Sequence, residues 1–389
     1  MKTSMPHRRN IVYFIIFTLL FWTIGPLMVY IVDPYHIFHE TRWNKNLWFG
    51  NKTLINLGQI ETYLKRSNDY DGILVGSSYS MNFQGSDLAK AVGAKGVLKL
   101  CDNDQPIDCG MNWVKICADT HKLKHCFVVR DAICYSWFTH QPLIRKEFYV
   151  NHPKCSLWNV SSFLALAGRC THETKFKLEH KELWWLWKDI SEVHRWYEHR
   201  LYDFVDWVNP YRLSQLKHFC KDFKNYAINQ QDCAVFVHHF NDVLLRTIKY
   251  NPSIIFYVML GPCAFTQPDM YLDCITNWTA DSFYNTLFNG WRHLITACAD
   301  LPNVKIYGWH DCAFVSNLAN YCDPSHYHPD INRYMAWCIE HDKHRLTKEN
   351  YDAYEARCVE NLRAFKILDS YPHRDTFDEL VAAEMQDGN

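Results

Sequence analysis

Two short segments, far apart in the chain, carry residue types that together support nucleophilic catalysis. An apolar run ends in Gly76-Ser77-Ser78, and a segment near the carboxyl end carries Asp323 and His326. A serine hydroxyl attacks an ester when a base removes its proton, and a histidine is an efficient base when a carboxylate orients its ring. Ser78, His326 and Asp323 therefore supply a nucleophile, a general base and an orienting carboxylate.

The Gly-Ser-Ser segment follows an apolar run that is typical of a buried parallel strand. At the carboxyl edge of such a strand Gly76 permits a tight turn, and backbone N–H groups of the next helix can stabilise a negatively charged oxygen. Serine is also common as a helix N-cap, so this segment alone leaves both interpretations open. The spacing of Asp323 and His326, which points both side chains the same way on a turn, favours catalysis.

His328 is the second histidine of the late segment, and we expect it to be structural. It precedes Pro329, and proline favours the first position of a helix, so His328 stands where the next helix begins. The 21 histidines and 16 cysteines show no spacing typical of a zinc site, so we predict no metal and no cofactor. In an oxidising compartment the cysteines make disulfides possible, but the sequence assigns no pairing.

A membrane anchor is expected near the amino end, because residues 11–32 carry no charge and suffice to cross about 30 Å of hydrocarbon. Lys2, Arg8 and Arg9 precede this segment, so residues 1–10 should be a cytoplasmic tail and the body should be extracytoplasmic. A cleaved signal peptide would have a shorter apolar core, and a buried soluble helix would usually carry polar residues on one face. We predict a single-pass membrane protein with its amino terminus in the cytoplasm.

The fold class is predicted from five short apolar runs, at residues 72–75, 97–100, 126–129, 253–260 and 304–307. Each run indicates a buried strand, and the segments between them are long enough to hold helices. Continuous apolar runs that alternate with helices are typical of a parallel sheet covered on both faces. We expect an α/β fold, a three-layer α/β/α sandwich. With 41 basic and 42 acidic residues, the chain lacks the positive charge of a nucleic-acid binder.

The body is predicted to be one domain at residues 33–345, with a helical insertion at about 140–251. The insertion is rich in charged and aromatic residues and includes the tryptophans Trp184, Trp185, Trp187, Trp196 and Trp207. Aromatic residues at helical spacing usually pack a core, and a platform for sugar rings or a membrane contact is the alternative. Residues 346–389 are expected to be a polar tail, with a helix near 350–368 and a loose acidic end.

The chain resembles the SGNH/GDSL hydrolase superfamily, in particular its membrane-anchored branch of cell-envelope proteins. The resemblance rests on residues 33–35, 76–78 and 323–332, and it covers about residues 10–340. It implies that Ser78 is the nucleophile of an extracytoplasmic serine esterase or O-acyltransferase. The implied substrate is an acylated surface glycan or its acyl donor, and the implied compartment is the periplasmic side of a bacterial inner membrane.

The sequence departs from that superfamily at the oxyanion hole, where a glycine after the second strand and an asparagine after the third are not recognisable. The corresponding segments are residues 101–105 and 130–132, in which Asn103 is a candidate substitute donor or a plain loop residue. The backbone N–H of Ser78 is the other candidate donor. Because the loss of one donor costs about 10²–10³ in rate, the alternative function is a non-catalytic envelope assembly or glycan-binding protein.

A less favoured hypothesis is a type II membrane glycosyltransferase. The Asp-Asn-Asp triplet at residues 102–104 would then bind a metal and a sugar nucleotide. The anchor, the cysteines and the Asn-x-Ser/Thr sequons at Asn51, Asn159 and Asn277 agree with a secretory route. This hypothesis leaves the late Asp-x-x-His segment without a role, so the esterase or acyltransferase remains the leading one.

Overall fold

A computed structural model describes most of the predicted body and the amino-terminal helix. The described residues are 5–32, 68–101, 105, 107–130, 157, 223–224, 226–229, 235–266, 279–321, 325–366 and 373–387. The chain divides into two compact units, one formed by Met1–Lys65 with Pro142–Ile190 and the other by Arg66–Gln141 with Ser191–Asn389.

The first helix, α1, spans Met5–Val32 and belongs to the first unit. Its segment Arg9–Ile31 is long and apolar enough to cross a membrane. Large apolar side chains that a soluble protein would bury are exposed along it, as Phe14 and Phe17 show at 72% and 70% exposure. Such a surface is compatible with a single-pass anchor, whose orientation remains a prediction.

The second unit is built on a six-stranded sheet that confirms all five predicted strands. Its strands are β1 (Gly72–Gly76), β2 (Val97–Cys101), β3 (His125–Arg130), β4 (Ile255–Leu260), β5 (Val304–Gly308) and β6 (Arg345–Leu346). They lie in the order β2-β1-β3-β4-β5-β6, and the first five pair in parallel. The sixth pairs antiparallel with β5 and was not predicted, because two residues are too short to show a pattern.

The helices of this unit form two sets of neighbours. They are α2 (Gly85–Val92), α3 (Ile107–Ala118), α4 (Val235–Tyr250), α5 (Ala280–Cys298), α6 (Pro329–Glu340), α7 (Tyr351–Ala364) and α8 (Phe377–Asp387). In one set α6 packs against both α2 and α8; in the other α4 packs against both α3 and α5, and α5 contacts α7. The sheet forms the core, and Ile73, Leu74 and Val75 of β1 are at most 1% exposed.

The segment predicted as a polar carboxyl-terminal tail, residues 346–389, carries two helices. The helix expected near 350–368 is confirmed as α7, and α8 follows it where a loose acidic end was expected. Tyr354, Cys358 and Leu362 of α7 are buried. These residues recur every four positions and so lie on one helix face, while charged residues between them cover the other face and make the segment look polar.

The carboxyl end of the predicted insertion at 140–251 also needs correction. Helix α4 lies inside that range, yet it leads directly into β4 and packs against α3 and α5. Helix α4 is therefore part of the sheet-containing unit. Charged and aromatic residues continue into the exposed face of α4, so composition alone does not mark the boundary. The tryptophans assigned to the insertion lie outside the described residues.

Nine of the 16 cysteines lie in the described part of the chain, and no disulfide joins any two of these nine. Seven of them are buried; Cys101 and Cys312 are partly exposed. Burial raises the pKa of the thiols of Cys117 and Cys126. The seven buried cysteines thus act as small apolar core residues, which is a common role of cysteine.

Substitution of Gly308, at the end of β5, tests how tightly α7 packs on the sheet. A Cβ there would lie 2.7 Å from Leu346 Cδ1 and 2.7 Å from Tyr354 Oη. Tyr354 is buried, and its hydroxyl accepts a hydrogen bond from the backbone N–H of His310 at 3.2 Å, which holds the ring in place. Gly308→Ala should therefore lower the free energy of unfolding by about 1–3 kcal/mol, measured by denaturant unfolding of the full-length protein in detergent.

Gly110→Ala is the matched control for that substitution. Gly110 lies inside α3, and the atoms nearest to an added Cβ are 3.6–4.0 Å away, which is ordinary contact. Alanine favours the helix over glycine by about 0.5–1 kcal/mol, so the control should be neutral or stabilising. Equal stabilities of the two variants would contradict the close packing at Gly308.

Candidate active site

The turn after β1 has the geometry that the Gly-Ser-Ser segment predicts. Gly76 has φ +156°, and a Cβ there would lie 3.1 Å from Ser80 Cβ and 3.1 Å from the carbonyl oxygen of Val129. Residues Ser78–Ser80 form a single turn of 3-10 helix, in which both the backbone N–H and the hydroxyl of Ser80 donate to the carbonyl oxygen of Ser77. Only glycine fits the first position of this turn without strain.

Ser78 is the accessible serine of this turn. It is partly exposed, whereas Ser77 and Ser80 are buried. The expected turn into a helix is present: the short 3-10 turn follows the serines, and α2 begins at Gly85. A single turn carries little helix dipole, so the donors for a reacting oxygen must come from individual N–H groups.

The segment that carries His326 is a loop closed at its base. Tyr321 and Tyr327 pair in an antiparallel bridge, and the backbone N–H of His328 donates to the carbonyl oxygen of Asn320 at 2.7 Å. Ser325 and Tyr327 are buried on either side of His326, which is itself partly exposed. Asp323, the predicted orienting carboxylate, lies outside the described residues.

The structure brings this loop into direct contact with the turn after β1. The rings of Tyr79 and His326 lie 5.9 Å apart, and the Tyr327 ring meets Tyr79 edge-on at 5.9 Å. The Tyr327 hydroxyl donates to the carbonyl oxygen of Tyr79 at 3.4 Å, across 248 positions of the chain. The buried amide of Asn82 donates to the carbonyl oxygen of Tyr327 at 3.2 Å. The residues that flank Ser78 and those that flank His326 therefore form one packed cluster.

Gln105 is a site residue that the sequence did not single out. Its side chain is buried beyond the end of β2, and its Oε1 accepts a hydrogen bond from the backbone N–H of Gly76 at 3.3 Å. Because the N–H of Gly76 needs an acceptor, the amide is oriented with its oxygen toward β1. Its Nε2 is buried and has no hydrogen-bond partner among the described residues. Asn103, the donor proposed from the sequence, lies outside them.

His328 is confirmed as a structural residue. It is the N-cap of α6, and its Nδ1 accepts a hydrogen bond from the backbone N–H of Asp330 at 3.1 Å. Burial lowers the pKa of His328 and the neighbouring Arg374 lowers it further, while the carboxylate of Asp330 acts in the opposite direction. A neutral ring keeps the lone pair that caps the helix.

A buried cysteine–histidine pair joins the carboxyl ends of β4 and β5. Nε2 of His310 accepts a hydrogen bond from the backbone N–H of Cys263 at 3.2 Å and lies 3.3 Å from its Sγ. Burial lowers the pKa of His310 to about 3 and raises that of the Cys263 thiol. Both groups are therefore neutral at pH 7, and this pair connects two strand ends without forming an activated thiolate.

Arg130 ends β3, at the position where the resemblance leads one to expect an oxyanion-hole asparagine nearby. Its side chain is buried, and the guanidinium lies over the ring of Phe240 in α4, 5.3 Å from the centroid. Its Nε and Nη1 have no hydrogen-bond partner within the described ranges. The side chain thus packs on a helix of the second set, whereas the cluster around Ser78 packs on the loop that leads into α6.

Comparison of the chain with protein-family models, with curated proteins and with solved structures finds no match. The chemistry of the cluster is therefore argued from its own residues.

The buried His310 predicts a pH dependence of stability. The folded protein keeps this ring neutral down to about pH 3, while the unfolded chain takes up the proton near pH 6.5. Between these values the unfolded state binds more protons, so the contribution is complete above pH 6.5 and is lost as the pH falls. We expect a loss approaching about 1.4 kcal/mol per pH unit, measured by urea unfolding between pH 7 and pH 4.

His310→Gln should reduce that pH dependence, because the glutamine carbonyl can accept the same backbone hydrogen bond without taking up a proton. In this variant the stability should still fall with decreasing pH, but less steeply, because the pKa of His328 is also lowered in the folded protein. His341→Gln, at an exposed position after α6, is the control and should keep the wild-type dependence. Identical pH profiles for wild type and His310→Gln would contradict a neutral buried ring.

Proposed function

We propose that this chain is a membrane-anchored serine esterase or O-acyltransferase of the SGNH type, with Ser78 as nucleophile and His326 as general base. The observation that supports it best is the packing of the His326 loop on the turn that carries Ser78. That turn lies at the carboxyl end of a central parallel strand, where α/β sheets usually hold their ligands. The acylated surface glycan as substrate rests on the resemblance.

The proposed fold is a three-layer α/β/α sandwich. Three consecutive buried residues in β1 support it, because successive side chains of a strand point to opposite faces and both faces must then be covered. The strand order adds support. The chain moves from β1 outward to β2 and then back across β1 to β3. If both crossovers have the usual right-handed sense, their opposite directions would put α2 and α3 on opposite faces of the sheet.

The proposed reaction has two steps. Ser78 Oγ attacks the acyl carbonyl while His326 accepts its proton, and Asp323 orients the imidazole. The tetrahedral intermediate collapses to the acyl-serine, and the leaving alcohol takes the proton from His326. Water or a sugar hydroxyl then attacks the acyl-serine, His326 again acting as base. Water gives an acid and a sugar hydroxyl gives a transferred ester.

Gln105 is proposed as the oxyanion donor that the sequence lacks. An amide N–H is a suitable donor to a tetrahedral oxyanion, and the bond from Gly76 holds Oε1 of Gln105 in place, which leaves Nε2 as the donor. Its position after β2 is the chain position at which the resembled superfamily supplies a donor. The backbone N–H of Ser78 would complete the pair.

Labelling with a fluorophosphonate tests nucleophile and base together. The full-length protein in detergent should be labelled at Ser78, located by mass spectrometry, and Ser78→Ala should abolish this label. His326→Gln should slow labelling by about 10²–10⁴-fold, because the serine loses its base. Gln105→Ala should slow it by about 10²–10³-fold, because the developing oxyanion loses one donor.

Ser86→Ala is the matched control, since Ser86 is an exposed serine in α2. This variant should label as wild type does. Folding of each variant is checked by near-ultraviolet circular dichroism. A folded wild type that takes no label, together with measurable binding of surface glycan, would replace the catalytic proposal by the assembly or glycan-binding function.

The proposed topology places residues 1–10 in the cytoplasm and the second unit on the other side of the membrane. Fusion of alkaline phosphatase after residue 389 should give an active enzyme in a bacterial host, because this reporter folds only after export. Fusion of a cytoplasmic fluorescent protein at the same position is the control and should give little signal. The reverse pattern would contradict the orientation that Lys2, Arg8 and Arg9 predict.

A further inference from the structure

Three potential metal ligands converge beside the edge strand β6. Asp311 and Cys312 follow β5, and His344 directly precedes β6, which pairs antiparallel with β5. The Sγ of Cys312 lies 3.8 Å from His344 Nδ1 and 3.9 Å from Asp311 Oδ1. One atom from each of the three residues can be chosen so that all three lie within 4.8 Å of one another.

These separations suit one shared ion. With zinc bonds of about 2.3 Å to sulfur and about 2.0–2.1 Å to nitrogen or oxygen, tetrahedral ligand atoms lie roughly 3.5 Å apart. The two distances from Cys312 Sγ exceed this by a few tenths of an ångström, and the chosen atoms of Asp311 and His344 lie within 4.8 Å of each other. Side-chain rotation can close these gaps. A thiolate, an imidazole and a carboxylate suit zinc, whereas magnesium and calcium prefer oxygen ligands.

The surroundings of His344 prepare its Nδ1 to bind a metal. Its Nε2 lies 2.9 Å from Oε2 of Glu384, and the hydroxyl of Tyr334 donates to the same carboxylate oxygen at 3.0 Å. A carboxylate at Nε2 holds the proton there and leaves a lone pair on Nδ1. Metal-binding histidines almost always donate the N–H of the other ring nitrogen to a carboxylate, a backbone carbonyl or a water molecule.

The backbone also holds His344 in a defined position. Its φ is +55°, an uncommon value for a residue other than glycine, and its carbonyl oxygen accepts a hydrogen bond from the N–H of Gly308 at 3.2 Å. The short β5–β6 pairing thus fixes the imidazole opposite the segment that carries Cys312.

Asp311 has one carboxylate oxygen to offer. Its Oδ2 accepts hydrogen bonds from Nε and Nη2 of Arg357 at 3.0 and 2.8 Å, while Oδ1 faces Cys312. Without an ion, the carboxylate of Asp311 is paired with Arg357 and that of Glu384 with Lys343, so the Cys312 thiol is the group that an ion would change.

We propose that Asp311, Cys312 and His344 form a zinc site, with Glu384 as the carboxylate that orients His344. Binding converts the Cys312 thiol and a zinc ion into a zinc thiolate and one released proton, and a water molecule takes the fourth position. The site links the loop after β5 to the β6 edge and, through Glu384, to α8. It is independent of the proposal for Ser78.

Cobalt(II) is the probe, because its thiolate complexes absorb in the near ultraviolet. Full-length protein in detergent, freed of metal by a chelator, is titrated with cobalt(II) and then with zinc. We expect one equivalent to give a thiolate-to-cobalt charge-transfer band that zinc removes. Cys312→Ala should lose the band, and Glu384→Gln should weaken binding by about 10–100-fold.

Cys298→Ala is the control, since Cys298 is a buried cysteine of α5 and not a ligand here. It should bind as wild type does. A folded wild type without the band, or a Cys312→Ala protein that keeps it, would overturn the site. If Cys312→Ala does not fold, the affinity of Glu384→Gln decides: unchanged binding would also overturn the site.

Discussion

A buried amide needs hydrogen-bond partners inside the protein. The side-chain amide of Asn82 donates to the carbonyl oxygen of Tyr327, which lies 245 positions further along the chain. An unsatisfied buried donor costs about 1–3 kcal/mol, so separating these two segments is unfavourable. The aromatic contacts of Tyr79 with His326 and Tyr327 act on the same pair of segments. The parallel sheet determines where β1 ends, and these contacts determine what faces that end.

The strand ends differ in chemistry along the sheet. At β1 the partly exposed residue is Ser78, and the buried amide of Gln105 accepts a hydrogen bond from the backbone N–H of Gly76. At β4 and β5 the groups are Cys263 and His310, which burial keeps neutral. A charge is costly to bury without a partner, and the neutral cysteine–histidine pair avoids this cost.

The sequence predicts the parts of the structure that have a local pattern. The five long strands are continuous apolar runs, and His328 precedes a proline at a helix start, so both follow from neighbouring residues. Strand β6 has only two residues, and the apolar face of α7 is hidden among charged residues. Gln105 and His310 are single polar residues with no motif around them, and their roles depend on which strand ends the sheet brings together. We predicted no metal because the histidines and cysteines lack the short spacing of a zinc motif. Cys312 and His344, two of the ligands proposed above, are 32 positions apart and are brought together by the β5–β6 pairing, which such spacing does not reveal.

The buried thiols have a consequence for how the protein reaches its folded state. If the body is exported as proposed, every thiol meets an oxidising compartment while the chain is still unfolded. Disulfide exchange requires a thiolate that can reach its target, and native burial removes both conditions. Folding must then be faster than oxidation of the thiols in the unfolded chain. A substitution that slows folding without changing native stability would consequently yield mispaired chains, so the yield of this protein would depend on folding rate as well as on folding free energy.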